Sequence, residues 1–192
     1  ALNDALLLDV DVINMSLGSN GGFGREAEGD LTTKYYDLVK SAGILLNCSA
    51  IAKGYASDVI ARLLEREGVE NYMVEIGGEV TMKGVNQNGK CWRIGINKPE
   101  DDSTGIKNDV GEVVELCKKG GVATSGNYRN YYIKDGKKYA HTIDPRTGYP
   151  SEQSILSATI VADDCITADA YATAFMAMGL EKAREAAKNI PG

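Results

Sequence analysis

The stretch NYMVEIGGEVTMKGVNQNGKCWRIGINKP, residues 71–99, decides the fold class. Residues 71–85 are rich in β-formers and read as a strand interrupted by Gly77–Gly78, a pair that suits a bulge or a close backbone approach by a ligand. QNGK (87–90) carries the Asn-Gly hairpin signal, and CWRIGINKP (91–99) is the returning strand. Strands joined directly by tight turns predict antiparallel pairing rather than a βαβ succession.

Upstream, the apolar run ILLNCSAIA (44–52) enters AKGYASDVIARLLEREG. From Ala52 to Glu67, the residues Ala56, Val59, Ile60, Leu63 and Leu64 keep helical spacing, and Gly68 is a natural stop. Further back, DVDVINMSLGSNGGFG (9–24) reads as a strand dissolving into a loop, Leu31–Lys40 as a short helix, and residues 1–8 as the end of another. Downstream, residues 100–110 are a polar loop, followed by strands at 111–117 and 120–125 and a strand or short helix over Asn127–Ile133. KDGKK (134–138) is a second hairpin turn and 155–162 a further strand. A helix follows over 165–179 with Thr167 as its N-cap, then a short helix over 181–189. The class is α+β, a mostly antiparallel sheet with flanking helices.

A chain of 192 residues is one large domain or two small ones. Its net charge of −6 and the lack of any Lys/Arg cluster argue against a nucleic-acid partner. The four cysteines (Cys48, Cys91, Cys117, Cys165) have no zinc spacing and suggest free thiols more than a disulfide framework. No apolar run is long enough to span a membrane, and no signal peptide or lipid-attachment motif is visible. The chain begins in what reads as mid-domain.

The chemistry concentrates in YAHTIDPRTGYP (139–150), which holds His141, the single histidine, beside Thr142, Asp144 and Arg146 among turn-forming Pro and Gly. Such a loop presents polar groups to a ligand, or is simply a tight turn after a strand. Asp169 and Thr173 lie four residues apart on one helix face, where a carboxylate and a hydroxyl can share a hard cation such as Mg²⁺. The competing explanation is an acid favouring the helix macrodipole. SAIAKGYASD (49–58) is a small-residue helix start with Lys53, suited to a phosphate but without a Walker A pattern. EIGGE (75–79) flanks two glycines with carboxylates, and ATSGNY (123–128) offers Thr124 and Ser125 hydroxyls at a strand end. No G-x-S-x-G elbow supplies a nucleophile for a hydrolase triad using His141.

In this order, IAKGYASD (51–58), NYMVEIGGE (71–79), ATSGNY (123–128), YAHTIDPRTGYP (139–150) and TADAYATAFMAMG (167–179) resemble the ApbE family of FAD:protein FMN transferases. The resemblance covers roughly residues 44–185, leaving 1–43 as a partial or shortened N-terminal region before an ApbE-like core over 44–192. DVINMSLGSNGGFG (11–24) keeps the family's Asp-Val, Leu and Gly-Phe-Gly, while Asn47 stands where many members have aspartate. The fold implied is ApbE-like, related to the T-fold. The implied reaction is Mg²⁺-dependent cleavage of FAD, with FMN transferred to a Thr or Ser hydroxyl of a target protein and AMP released. By the same resemblance Asp169, Thr173 and the Ala52 carbonyl would hold Mg²⁺. An attacking hydroxyl gains from a nearby base, for which the imidazole of His141 is the candidate, with Asp144 orienting the loop or the imidazole. Lys53, Tyr55, Asp58, Glu75, Gly77, Gly78, Thr124, Ser125 and Thr142 would contact FAD. The implied acceptor is a subunit of a respiratory or reductase complex, and the implied site is the bacterial periplasm or an inner-membrane lipoprotein, although no anchor is visible in this sequence. An FAD diphosphatase or a non-catalytic FAD-binding module would use the same residues.

Overall fold

Strong alternation along residues 79–83 sets the architecture. The computed structural model describes residues 13–15, 46–99, 109–127, 131–134, 137–140, 142 and 155–190. The chain divides into two compact units, Ala1–Ala52 and Lys53–Gly192. In the first, β1 (Ile13–Met15) pairs in parallel with β2 (Leu46–Cys48). The expected helices at 1–8 and 31–40 lie outside the described residues.

The second unit takes in α1 (Ala52–Arg66) from Lys53 onward, β3 (Tyr72–Ile76), β4 (Glu79–Lys83), β5 (Trp92–Asn97), β6 (Val110–Leu116) and β7 (Gly120–Gly126). β8 (Tyr131–Lys134), β9 (Lys137–Ala140), β10 (Ser157–Ala162), α2 (Cys165–Met178) and α3 (Leu180–Ala187) complete it. The sheet order is β10-β7-β4-β3, antiparallel throughout. β5–β6 and β8–β9 are separate antiparallel pairs.

Successive side chains of a strand point to opposite faces, and here the two faces differ in chemistry. Val80, Met82 and Val122 form an apolar core on which Trp92, Ile94, Val114 and Leu116 of the β5–β6 hairpin pack. The opposite face carries Thr81 against α1 and Ser125 against α2. On that face Gly121 lets α2 approach closely, since a Cβ there would collide with the Cys165 backbone.

α1 ends where the sequence predicts. Val69 N–H donates to Leu64 O and Gly68 N–H to Glu65 O, with Gly68 at φ 81°, which is a Schellman stop. Three expectations change. Gly77–Gly78 is not a bulge but the two-residue turn between β3 and β4, with Ile76 opposite Glu79 and φ values of 62° and 100°, as a type I′ turn requires. The Asn-Gly turn forms as expected, held by the Asn86 side chain, yet beyond the Val85–Cys91 bridge β5 pairs with β6 rather than β4. The N-cap of α2 is Asp164, whose carboxylate accepts the Thr167 N–H at 2.9 Å, so the helix starts before Thr167.

The cysteines also differ from expectation. Cys91 and Cys117 form a disulfide beside the Trp92–Leu116 register pair, closing the open end of the β5–β6 hairpin with their Cα atoms 4.5 Å apart. With 26 residues of separation, its reduction is expected to lower stability by about 3 kcal/mol, read as a drop in Tm with dithiothreitol that a Cys91→Ser/Cys117→Ser protein does not show. No helix among the described residues is long and apolar enough to cross a membrane.

Glu65, near the end of α1, ties the helix to the sheet. It accepts from Tyr72 Oη at 3.0 Å, Lys83 Nζ at 3.2 Å and Lys119 Nζ at 3.0 Å. The Lys119 bond, aided by Lys83 and Tyr72 and opposed by partial burial, holds its carboxyl at about 2. A carboxylate whose folded pKa is depressed stabilises the fold above its unfolded pKa and loses that contribution as pH falls through the folded one. Denaturant titrations from pH 5 to pH 2.5 are therefore expected to show a decline in stability that is shallower in Glu65→Gln.

Candidate functional site

The site grows from the meeting of two helix N-termini. The first N–H groups of a helix lack intrahelical partners and favour negative charge. Here each helix satisfies the other. Gly54 N–H of α1 donates to Asp169 Oδ2 of α2 at 3.0 Å. In return Cys165 and Ile166 N–H of α2 donate to Asp58 Oδ1 and Oδ2 of α1, at 3.1 and 2.9 Å. Gly54 makes the approach possible: a Cβ there would run into the Cys165 carbonyl and lie 2.8 Å from Asp169 Cβ. Asp58 also accepts from Thr81 Oγ1 at 2.7 Å, and Ser57 links Thr81 to the Gly54 carbonyl.

Asp169 is 2% exposed, and Thr173 stands one turn further along α2 with its hydroxyl 3.0 Å from Ser125 Oγ of β7. Burial raises the Asp169 carboxyl above the usual range; the Gly54 N–H and the nearby Lys53 charge oppose the rise. Lys53 Nζ sits 2.6 Å from Glu79 Oε2 and donates to the Gly77 carbonyl at 3.3 Å. The contact with Glu79 is an ion pair out of line for a hydrogen bond, so among the described residues this buried oxygen has no aligned donor. Burial pushes the Glu79 carboxyl up, Lys53 pulls it down, and Asp169 adds to the rise. Lys53 is thus ion-paired with one buried carboxylate, Glu79, while its charge also favours the ionised form of a second, Asp169. The Cys165 thiol, raised by burial to about 11 and pointing to the Val122 carbonyl, is poorly nucleophilic.

Asp169 does not serve the N-terminus of its own helix; the N-terminus it faces is that of α1, through the Gly54 N–H. It lies in the second turn of α2, whose first turn contains no acid, and the N-terminal N–H groups are served by Asp164 and Asp58. The donor set present, one buried carboxylate and a hydroxyl one turn on, consists of hard oxygens. Among the described residues no three His, Cys, Asp or Glu cluster as a metal site. The set fits an ion that takes few protein oxygens and completes its shell with water and phosphate, the habit of Mg²⁺.

The other predicted residues separate. Ala52 is the first residue of α1. Lys53 and Gly77 meet, and Gly78 completes the exposed turn. Ser125 reaches α2, but Thr124 faces the other side of β7 and pairs with Thr159 Oγ1 at 2.8 Å. Asp58 is 3% exposed with both oxygens engaged by the protein, so its contacts are those of a helix clamp. Tyr55 is exposed with Arg62 over its ring at 5.7 Å, and Glu75 points to solvent from β3. Thr142 donates to Asn127 Oδ1, just past the end of β7, at 3.0 Å. His141 and Asp144 lie outside the described residues. Glu79, Gly54 and Asn127 were not singled out by sequence reasoning. The carboxylate after Gly-Gly was the one available hint of Glu79.

Comparison with known proteins places the chain in a family. The sequence profile of the ApbE family matches residues 5–192. A curated FAD:protein FMN transferase of Vibrio cholerae is 45% identical over 139 residues, covering 72% of this chain and 40% of that protein. Its Escherichia coli K12 counterpart is 42% identical over 156 residues, covering 81% and 40%. The chain therefore spans 40% of the length of these curated relatives. Among solved structures, flavin transferase ApbE from Vibrio cholerae matches with a TM-score of 0.63 at 43% identity, over 74% of this chain and 43% of that one. An ApbE protein from Thermotoga maritima matches with a TM-score of 0.61 at 36% identity, over 74% and 43%. The match of the family profile along almost the whole chain and the identity to these relatives lead to one conclusion: the chain belongs to the ApbE family.

Proposed function

We propose that the protein transfers FMN from FAD to a Thr or Ser hydroxyl of a target protein, with Mg²⁺ required and AMP released. The observation that carries the reading is the pair of buried Asp169 and half-buried Thr173, one turn apart on α2 and joined to β7 through Ser125, in a chain of this family. Asp169 and Thr173, with the Ala52 carbonyl, would hold Mg²⁺. When bound, Mg²⁺ neutralises charge on the diphosphate oxygens. Lys53 binds phosphoryl oxygen by its positive charge, and the Gly77–Gly78 turn keeps bare backbone beside it. His141 takes the proton from the acceptor hydroxyl, imidazole being the side-chain type whose ordinary titration range lies near neutrality, and Asp144 orients it. A bond forms between that hydroxyl oxygen and the phosphorus of the FMN half. The bond from that phosphorus to the bridging oxygen breaks, and AMP leaves with its negative charge.

The acceptor proposed is a subunit of a respiratory or reductase complex. The Cys91–Cys117 disulfide supports an oxidising compartment, in keeping with a periplasmic or inner-membrane-attached protein. The test is incubation with FAD, Mg²⁺ and a candidate acceptor domain, followed by in-gel flavin fluorescence. A fluorescent acceptor band that requires Mg²⁺ supports the proposal. Free FMN and AMP formed without acceptor would point to a diphosphatase, and FAD bound but intact to a carrier. His141→Ala is expected to slow labelling by about a hundredfold or more; labelling at the wild-type rate removes the histidine from the chemistry.

A further inference from the structure

Glu79 is unused by the mechanism above, yet it is one of the most deeply buried side chains among the described residues, 2% exposed beneath a surface turn. Its partner is not buried: the Lys53 side chain is 46% exposed. A buried anion under a half-exposed cation is an asymmetric pair. Oε2 meets the ammonium at 2.6 Å as an ion pair and has no aligned hydrogen-bond donor among the described residues. Replacing a buried ion pair by apolar side chains is often neutral or stabilising, so stability alone is a poor reason to keep a carboxylate there.

What the pair does accomplish is to fix a flexible lysine. The ammonium is pinned at two points, Glu79 Oε2 and the Gly77 carbonyl. Gly77 admits the stem, because a Cβ at that residue would lie 2.9 Å from Lys53 Cδ. The charge is thereby held beside the glycine turn and close enough to Asp169 to act on it, with its exposed side open. A cation whose rotamers are already restricted loses less freedom when an anion docks on it. An ammonium has donors left beyond these two partners, and its natural ligand is a compact, multiply charged oxyanion.

We propose that Glu79 is a positioning residue that holds Lys53 over the Gly77–Gly78 turn as a preset receptor for a phosphoryl group of the ligand. The proposal rests on the flavin-nucleotide reading above and assigns within it the residue that gives the site its grip on phosphate rather than on the flavin ring.

The experiment is a double-mutant cycle with Lys53→Met, Glu79→Gln and the double variant. Each Mg²⁺-loaded protein is titrated calorimetrically with ADP, which carries the diphosphate, and with riboflavin, which carries the ring without phosphate. Lys53→Met is expected to weaken ADP binding by roughly tenfold to a hundredfold, as loss of a hydrogen bond to a charged group does. Glu79→Gln is expected to weaken it comparably, the double variant no further than Lys53→Met alone, and riboflavin affinity to stay unchanged in all three. This non-additive loss confined to the phosphorylated ligand is not what general damage to the fold would produce. Wild-type ADP affinity in Glu79→Gln, losses that multiply in the double variant, or equal losses for riboflavin would each overturn the proposal. If Glu79→Gln does not fold, Lys53→Met decides: full ADP affinity in that protein overturns the receptor role. Wild-type protein that binds neither ligand overturns the flavin-nucleotide reading itself and the proposal with it.

Discussion

Asp169→Asn is expected to cut Mg²⁺-dependent flavin transfer by at least about a hundredfold, since loss of a well-placed charge-stabilising group typically costs that much or more. The fold should tolerate the change. Asparagine keeps an oxygen to accept the Gly54 N–H that Asp169 Oδ2 now takes. The wild-type carboxyl is raised by burial, which means that its ionised form opposes folding at neutral pH unless a cation compensates it. The variant without metal should therefore melt at the wild-type temperature or above. A cation that binds only the native state raises apparent stability. Wild type is accordingly expected to show a Mg²⁺-dependent rise in Tm, and Asp169→Asn none. Differential scanning calorimetry with and without Mg²⁺ measures both halves. A variant that still gains stability from Mg²⁺ would place the ion elsewhere.

Gly54→Ala tests the same junction from the other helix, and two effects oppose each other. Alanine is favoured over glycine in a helix interior by about 1 kcal/mol. Against this, the new methyl would meet the Cys165 carbonyl, which belongs to backbone and cannot swing aside, and would lie 2.8 Å from Asp169 Cβ. Overpacking of a rigid contact costs about 1–3 kcal/mol and occasionally more. The steric term is expected to win, with Tm lowered by several degrees. Because α1 must back away from α2, the Gly54–Asp169 hydrogen bond should be lost and the Mg²⁺ response weakened together with it. Thermal melts and a Mg²⁺ titration check this. Unchanged stability would mean that the two helices can separate without strain.

How much of this was legible in the sequence depends on the range of the interaction concerned. α1 was readable because its apolar spacing and Gly68 are local signals, and the Schellman bonds follow from that one glycine. The Asn-Gly turn was readable for the same reason, but the partner of the strand after it was not. β5 pairs with β6 across residues 98–109, a choice made by apolar packing on Met82 and Val122 rather than by the turn. Gly77–Gly78 is ambiguous locally, since two glycines in a β-rich run suit a bulge and a type I′ turn alike. The α2 cap was misplaced by three residues because Asp164 and Thr167 are both good cap formers, and Asp164 takes the role by accepting the Thr167 N–H. The disulfide joins residues 26 apart with no spacing signature. In the candidate site, Asp169 and Thr173 were visible as a four-residue step on one helix. The Glu79–Lys53 contact, the Gly54 approach and the opposite facings of Thr124 and Ser125 depend on strands and helices meeting across the fold.

The two-faced chemistry of β4 has a consequence for how the chain reaches its native pairing. Val80 and Met82 look into the apolar layer, while Glu79 and Thr81 look to the helices, where Lys53, Ser57 and Asp58 receive them. A strand that slipped by one residue against its neighbour would turn every one of these side chains to the wrong side. Glu79 would then lie against Trp92 and Leu116 without a cation, and Met82 would displace the hydroxyl network that braces α1. Misaligned sheets of this chain would thus be penalised on both surfaces at once. The polar face acts as a checkpoint on strand alignment, so a sheet that forms at all forms with these helix-facing residues in place.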